Sequence, residues 1–217
     1  MTPKNKLHVV ISMVTLKRIV GGLRIFELTD ALVDKYERTA AKAFNGDGTC
    51  SLENMNRSCF ASEFCAQGNT PAMQLRTLLH NRYSLVAVTD VLPDGSGALF
   101  NPSYFFVGCV SANPPSFEAR RLFPRLPEDC IVISNLCVED VYRGIGVGKR
   151  LIQAVLTKYK NDQCYLIVMK KGHVWNYDIE NVFENRVHRL LKTYAQLFFT
   201  PCCECHEGIL LRYNVNA

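Results

Sequence analysis

The residues best suited to chemistry form one run, Ile131-Val132-Ile133-Ser134-Asn135-Leu136-Cys137-Val138-Glu139-Asp140-Val141-Tyr142-Arg143-Gly144-Ile145-Gly146-Val147-Gly148-Lys149-Arg150-Leu151-Ile152. Its start is apolar and β-branched, its middle is rich in glycine, and its end opens an amphipathic pattern. That order predicts a strand, a turn and a helix. Such a turn exposes consecutive backbone N–H groups. The helix start adds its own unpaired N–H groups and the positive end of its dipole. Together these make an anion site that a phosphate can approach closely, because glycine has no Cβ. Lys149 and Arg150 fall in the first helical turn, where each cation opposes the dipole at a cost of a few tenths of a kcal/mol or so. They make sense there if a polyanion arrives. The plainer alternative is a solvated helix start whose basic residues face water.

Spacing excludes two well-known phosphate loops. The magnesium-nucleotide loop needs glycine where Arg143 stands and Ser or Thr where Arg150 stands. The dinucleotide fingerprint needs a third glycine where Lys149 stands. What fits is Arg143-x-x-Gly146-x-Gly148, preceded by the strand end Leu136-Cys137-Val138 and followed by an amphipathic helix. The segment resembles the acetyl-coenzyme A loop of the GNAT acetyltransferase superfamily, which follows Arg/Gln-x-x-Gly-x-Gly/Ala. The resemblance extends more loosely from Leu23 to Val215 through the order of elements.

This resemblance implies acetyl-CoA as cosubstrate and transfer of its acetyl group to a primary amine by direct attack on the thioester. In the family, a bulged central strand parts from the next strand, and the pantetheine arm lies in the opening. The mapping puts the Leu136 N–H near the thioester carbonyl and Cys137 and Val138 along pantetheine. Arg143, Gly144, Ile145, Gly146, Val147, Gly148 and Lys149 then surround the pyrophosphate. Tyr194, five residues before Phe199, matches the family's thiolate acid. Phe198 replaces the family's usual glycine, and Val187 replaces a frequent asparagine. The family's carboxylate base is replaced by Val132. Glu128, Asp129, Glu139, His173 or a water relay remain open as bases. Trp175, Tyr177 and Asp178, in the loop Gly172 to Asp178, would shape an amine pocket or, alternatively, plug the core. The rival to an enzyme is a non-catalytic GNAT-like module that binds acyl-CoA or a partner.

Several elements must hold these residues in place. Residues 1–22 form a basic, acid-free arm, read as an extra strand or an organelle-targeting segment. Residues 23–217 are the stretch that the resemblance implies to be one GNAT-like domain. Strands are expected at Leu23–Leu28, Ser84–Thr89, Tyr104–Val110, Cys130–Val138, Gln163–Met169 and Gly208–Val215. Helices are expected from Thr29 or Asp30 to Phe44, from Gly148 onward, and over Ile179–Leu197. A polar helical stretch spans 51–82, turn residues Pro93–Gly97 join two strands, and Asn113–Pro127 reads as irregular. The fold class is therefore mixed α/β: a mostly antiparallel sheet with one parallel, splayed pair, flanked by helices.

Composition sets the outer limits. A chain of 217 residues with 48% hydrophobic and 21% charged residues can bury one sizeable core. Its apolar runs fall short of the roughly 20 residues that span a bilayer, so no membrane partner is expected. Net charge is +5, but Lys4, Lys6, Lys17, Arg18 and Arg24 precede the first acidic residue, Glu27. The remainder is neutral, so no nucleic-acid partner is expected. The ten cysteines are read as reduced thiols of an intracellular, most simply cytoplasmic, protein. Cys202-Cys203-Glu204-Cys205-His206 has poor spacing for zinc, so no metal is expected. Composition leaves the oligomeric state open.

Overall fold

A computed structural model describes residues 22–32, 35, 36, 39, 84–89, 105–170 and 180–214. In chain order the elements are β1 (Arg24–Glu27), β2 (Ser84–Thr89), β3 (Phe105–Asn113), α1 (Phe117–Leu122), β4 (Ile131–Val138), α2 (Val147–Lys158), β5 (Cys164–Met169), α3 (Glu180–Ala195), β6 (Phe199–Glu204) and β7 (Gly208–Tyr213). Single 3-10 turns occur at Asp30–Leu32 and Asp140–Tyr142. The basic arm before Gly22, most of the helix expected to Phe44, the 51–82 stretch, the Pro93–Gly97 turn and the Gly172–Asp178 loop lie outside the described residues.

The strands form one seven-stranded sheet in the order β1-β2-β3-β4-β5-β7-β6. Every neighbouring pair is antiparallel except β4–β5. That parallel pair requires a crossover, which α2 supplies. Strand β2 (Ser-Leu-Val-Ala-Val-Thr) is buried throughout, and so is the Gly-Ile-Leu-Leu run of β7. Continuous rather than alternating burial follows when both faces of a sheet are covered.

Helices α2 and α3 pack on one face. There Leu151, Ile152 and Val155 of α2 meet Val107, Ile131, Ile133, Leu166 and Leu211 of the strands. Burying each such aliphatic side chain stabilises the fold by roughly 1.5–3 kcal/mol. The opposite face carries a smaller cluster of Ala119, Phe123 and Leu126 with Cys130, Val132, Tyr165 and Leu210.

The structure departs from the sequence reading at three places. Strand β3 runs to Asn113 rather than Val110. The stretch read as irregular contains α1, capped by Ser116, whose Oγ accepts from the Ala119 N–H at 3.1 Å. Six residues are too few to display a helical period. Strand β6 is a separate edge strand. The family resemblance implies a strand or its turn at Cys202–His206, but periodicity does not show it, because all side chains of β6 but that of Phe199 are exposed.

Candidate functional site

The site starts from a change in pairing along β4. Ile131, Val132 and Ile133 pair with Cys164, Tyr165 and Leu166 of β5. Beyond them β5 continues to pair with β7 through Ile167, Val168 and Met169. Residues Ser134 to Val138 of β4 keep only β3 as a partner. The parallel strands therefore part and leave an opening. A bulge accompanies the parting: Cys109 opposes Cys137 but Ser111 opposes Ser134, so β4 carries one extra residue over Asn135-Leu136. Bulges bend a strand and re-aim its backbone groups.

Two contacts fix which groups face the opening. A Cβ added at Gly108 would lie 2.5 Å from the Cys137 carbonyl oxygen, so that carbonyl faces β3 and only glycine fits opposite it. The Glu139 N–H also turns to β3, donating to the Val107 carbonyl at 2.9 Å. Strand backbone groups alternate sides, so the N–H and C=O of Val138 face the opening.

At its end β4 passes through the 3-10 turn into the glycine loop. Gly144 and Gly146 have φ of +79° and +88°, and a Cβ on either would meet nothing within 4 Å. Glycine is present for conformation there, not for lack of room. Gly146 is the N-cap of α2 and makes no side-chain cap, and no acidic residue stands in the first turn. The first amides of a helix have no intrahelical partner. Lys149 and Arg150 are exposed beside them. A Cβ at Gly148 would stand 3.7 Å from Leu136 Cδ2 and 3.8 Å from Val138 Cγ2. Ile145 and Val147 pack into or against the core below. The start of α2 thus stands beside Leu136 and Val138, at the end of β4 that has lost β5 as a partner.

Tyr194 lies near the end of α3, on the same face as α2, within the main core cluster. Its ring meets Phe199 edge-on at 6.3 Å between centroids. Phe198 has φ of +63°, alone among the described non-glycine residues in being positive. It holds a left-handed conformation that glycine takes more readily than any other residue, and it is 51% exposed.

Behind the bulge, on the face away from α2, lies a polar knot absent from the sequence reading. The Tyr36 hydroxyl meets Ser111 Oγ at 2.5 Å, and Ser111 Oγ meets Ser84 Oγ at 3.2 Å. Burial pushes the Tyr36 phenol and the Cys109 thiol well above their ordinary values. Thr39 Oγ1 donates to Glu139 Oε1 at 2.5 Å. The knot joins residues far apart in sequence and left no signal there. Gly108 did leave one, a lone glycine inside an apolar run.

Of the candidate bases, Glu128 and Asp129 precede β4 and lie at its far end from Val138; Glu128 faces Arg120 at 3.6 Å. Glu139 stands at the near end, tied to Thr39. Trp175, Tyr177, Asp178 and His173 lie outside the described residues. Among the described residues no cluster of three or more His, Cys, Asp or Glu could hold a metal ion. Cys202 Sγ instead donates to the Leu210 carbonyl at 3.5 Å. No helix among the described residues is long and apolar enough to cross a membrane.

A mostly antiparallel sheet that parts at its single parallel pair, with a glycine loop and uncapped helix on the open lip, defines a protein of the GNAT fold. The model of the Acetyltransferase (GNAT) family matches residues 52–185. That is more than half of the 217-residue chain and includes β4, the loop and α2, so the chain belongs to this family. Solved structures agree on the fold. A GNAT-family acetyltransferase of Listeria monocytogenes 4b F2365 is 10% identical at TM-score 0.55, over 88% of this chain and 93% of that one. One from Staphylococcus aureus Mu50 is 12% identical at TM-score 0.51, over 89% and 99%. Arabidopsis thaliana NAA60, in complex with acetyl-CoA, is 16% identical at TM-score 0.50, over 90% and 99%. No curated protein matches the chain.

Proposed function

We propose that the protein is an acetyl-CoA-dependent N-acetyltransferase acting on a primary amine of a protein or a small molecule. The observation that carries this reading is the parted edge of β4, with the Val138 backbone groups facing the opening and an uncapped glycine loop at its end. An opening lined by main chain suits the extended, amide-bearing pantetheine arm. Amides at a helix start suit a pyrophosphate.

When bound, acetyl-CoA supplies a thioester whose carbonyl carbon accepts a nucleophile. In this reading the backbone amides of residues 143–148 hold the pyrophosphate, with Lys149 beside them. Val138 guides the pantetheine; Cys137, read beside it from the sequence, turns its carbonyl to β3 and buries its side chain. The Leu136 N–H donates to the carbonyl oxygen as negative charge develops on it. The new bond joins the acceptor nitrogen to the acetyl carbon as the carbon–sulfur bond breaks. The amine reacts in its neutral form, having shed its extra proton to water; one more proton leaves the nitrogen through water or Glu139 as the bond forms, and Tyr194 gives one to the departing sulfur. Trp175, Tyr177 and Asp178 form the acceptor pocket, with Asp178 attracting the cationic form of the amine.

The rival reading, a module that binds acyl-CoA without turnover, draws on the burial of Tyr194 in the core. One assay separates the two. A panel of amines is incubated with acetyl-CoA, thiol release is followed, and acetylated product is detected by mass. Turnover with at least one amine is expected. Binding of CoA without turnover across peptide and small amines favours the module. Tyr194→Phe is expected to lower kcat about 100-fold while the melting temperature holds. An unchanged rate removes Tyr194 from the mechanism.

A further inference from the structure

Arg143 opens the loop pattern, and its charge invites the role of phosphate ligand. Its side chain is engaged elsewhere. Nε donates to the Val138 carbonyl at 3.0 Å, and Nη1 meets Asp140 Oδ1 at 2.7 Å. The Arg143 N–H donates to the Asp140 carbonyl at 3.3 Å, and the Tyr142 N–H to the Glu139 carbonyl at 2.9 Å. All these contacts run back to residues 138–140, the piece of chain that joins β4 to the loop.

We propose that Arg143 is a positioning residue: clamped by Asp140, its guanidinium ties the opening-facing carbonyl of Val138 to the base of the glycine loop, so that backbone amides grip the pyrophosphate without its charge. The inference rests on the acetyl-CoA reading above and refines the role of one residue within it.

Three observations lead to it. First, the Val138 carbonyl faces the side from which β5 has departed, so the sheet offers it no donor. Arg143 Nε supplies one. Second, Ile145 and Val147 anchor the loop to the core from below, but its two positive-φ glycines bring no side chain to hold its outer path. Gly144 and Gly146 have no atom within 4 Å of where a Cβ would be, and Gly146 makes no side-chain cap. A planar guanidinium bonded at two points fixes the chain on either side of the turn. Third, Asp140 is a carboxylate at the lip of an anion site, where alone it would repel a pyrophosphate. Paired with Arg143 it is neutralised, and the pair makes sense as a structural unit rather than as a ligand with a competitor.

The two roles predict opposite patterns. The protein is assayed with acetyl-CoA and with acetyl-pantetheine, which lacks the pyrophosphate. CoA binding is followed by calorimetry, and melting temperatures confirm folding. With the clamp, Arg143→Ala lowers kcat/KM about 10-fold for both donors, because the end of β4 is misplaced for either. Arg143→Gln, which keeps an N–H for the Val138 carbonyl but no charge, recovers most of that loss. Asp140→Asn weakens CoA binding, because the guanidinium loses its anchor. The clamp is overturned if the loss is confined to acetyl-CoA, is equal in the Gln and Ala variants, and Asp140→Asn tightens CoA binding; those results make Arg143 a phosphate ligand. Should Arg143→Ala fail to fold, Asp140→Asn alone still decides by the sign of its effect. Absence of CoA binding by the wild-type chain overturns the acetyl-CoA reading itself. Failure of the clamp is distinguishable, because it shows only in a protein that binds CoA.

Discussion

The two halves of β4 share one strand but not one environment. Val132 and Ile133 pair with strands on both sides, and the side chains of Ile131–Ile133 alternate between the two core clusters. Ser134–Val138 pair on one side only, carry the bulge, and end in a loop whose two positive-φ glycines stand in open space. The first half is held by apolar burial and a double hydrogen-bond ladder. The second is held by β3, by the close approach at Gly108, and by the contacts of Arg143. Stability and access are thus separated along a single strand. The closed end anchors the sheet, while the open end leaves main-chain groups for a ligand at little cost to the core.

Substitutions at the two ends should therefore break different properties. Ile133→Ala, at the closed end, is expected to cost about 2–5 kcal/mol in denaturant unfolding, through lost transfer energy and a cavity. The protein that remains folded should bind CoA as the wild type does. A matching loss of affinity would show that the halves are not separate. Gly146→Ala, at the open end, imposes a left-handed conformation on a Cβ-bearing residue and should cost about 1–2 kcal/mol. Its larger signature should be in binding, with CoA affinity lowered about 10-fold by calorimetry.

A smaller change should sharpen the contrast from the helix that carries Tyr194. Phe198 is strained in the left-handed region and half exposed. Phe198→Gly relieves about 1–2 kcal/mol of strain and loses about 0.5–1 kcal/mol to the unfolded chain. A net rise in stability of roughly 0.5–1 kcal/mol is expected, read as a higher melting temperature. A fall would mean that the exposed ring makes contacts that matter more than the strain.

The smallest effect at working pH concerns the closed end again. Burial raises the thiols of Cys130 and Cys164 from an ordinary 9.0 to about 11. A raised thiol pKa favours the folded state while the thiol stays protonated. That contribution is complete below about pH 9 and is lost as pH climbs towards 11, where the unfolded chain ionises first. Stability measured across that window should decline, and more gently in Cys130→Ala or Cys164→Ala. An identical slope in the variants would discount these thiols.

Local order was legible in the sequence wherever one pattern served one element. Strand β2 was read to the residue, and β4, α2, β5, α3 and β7 to within a residue or two, because apolar periodicity and glycine punctuation are written along the chain. The strand–turn–helix run from Ile131 to Ile152, and with it the family, was legible for the same reason: its contacts are mostly between near neighbours. Phe198 was visible as a departure, but only the backbone showed that it occupies the glycine conformation. Tertiary structure alone decided that β4 and β5 part after Ile133 and that the Cys137 carbonyl lies close against Gly108. It also placed Tyr36 beside Ser111 across 75 residues, and Arg143 back on the strand end rather than outward. Periodicity reports which side of an element is buried. It carries no information about which distant strand lies alongside or where that strand leaves, and the opening in this sheet exists only because of that departure.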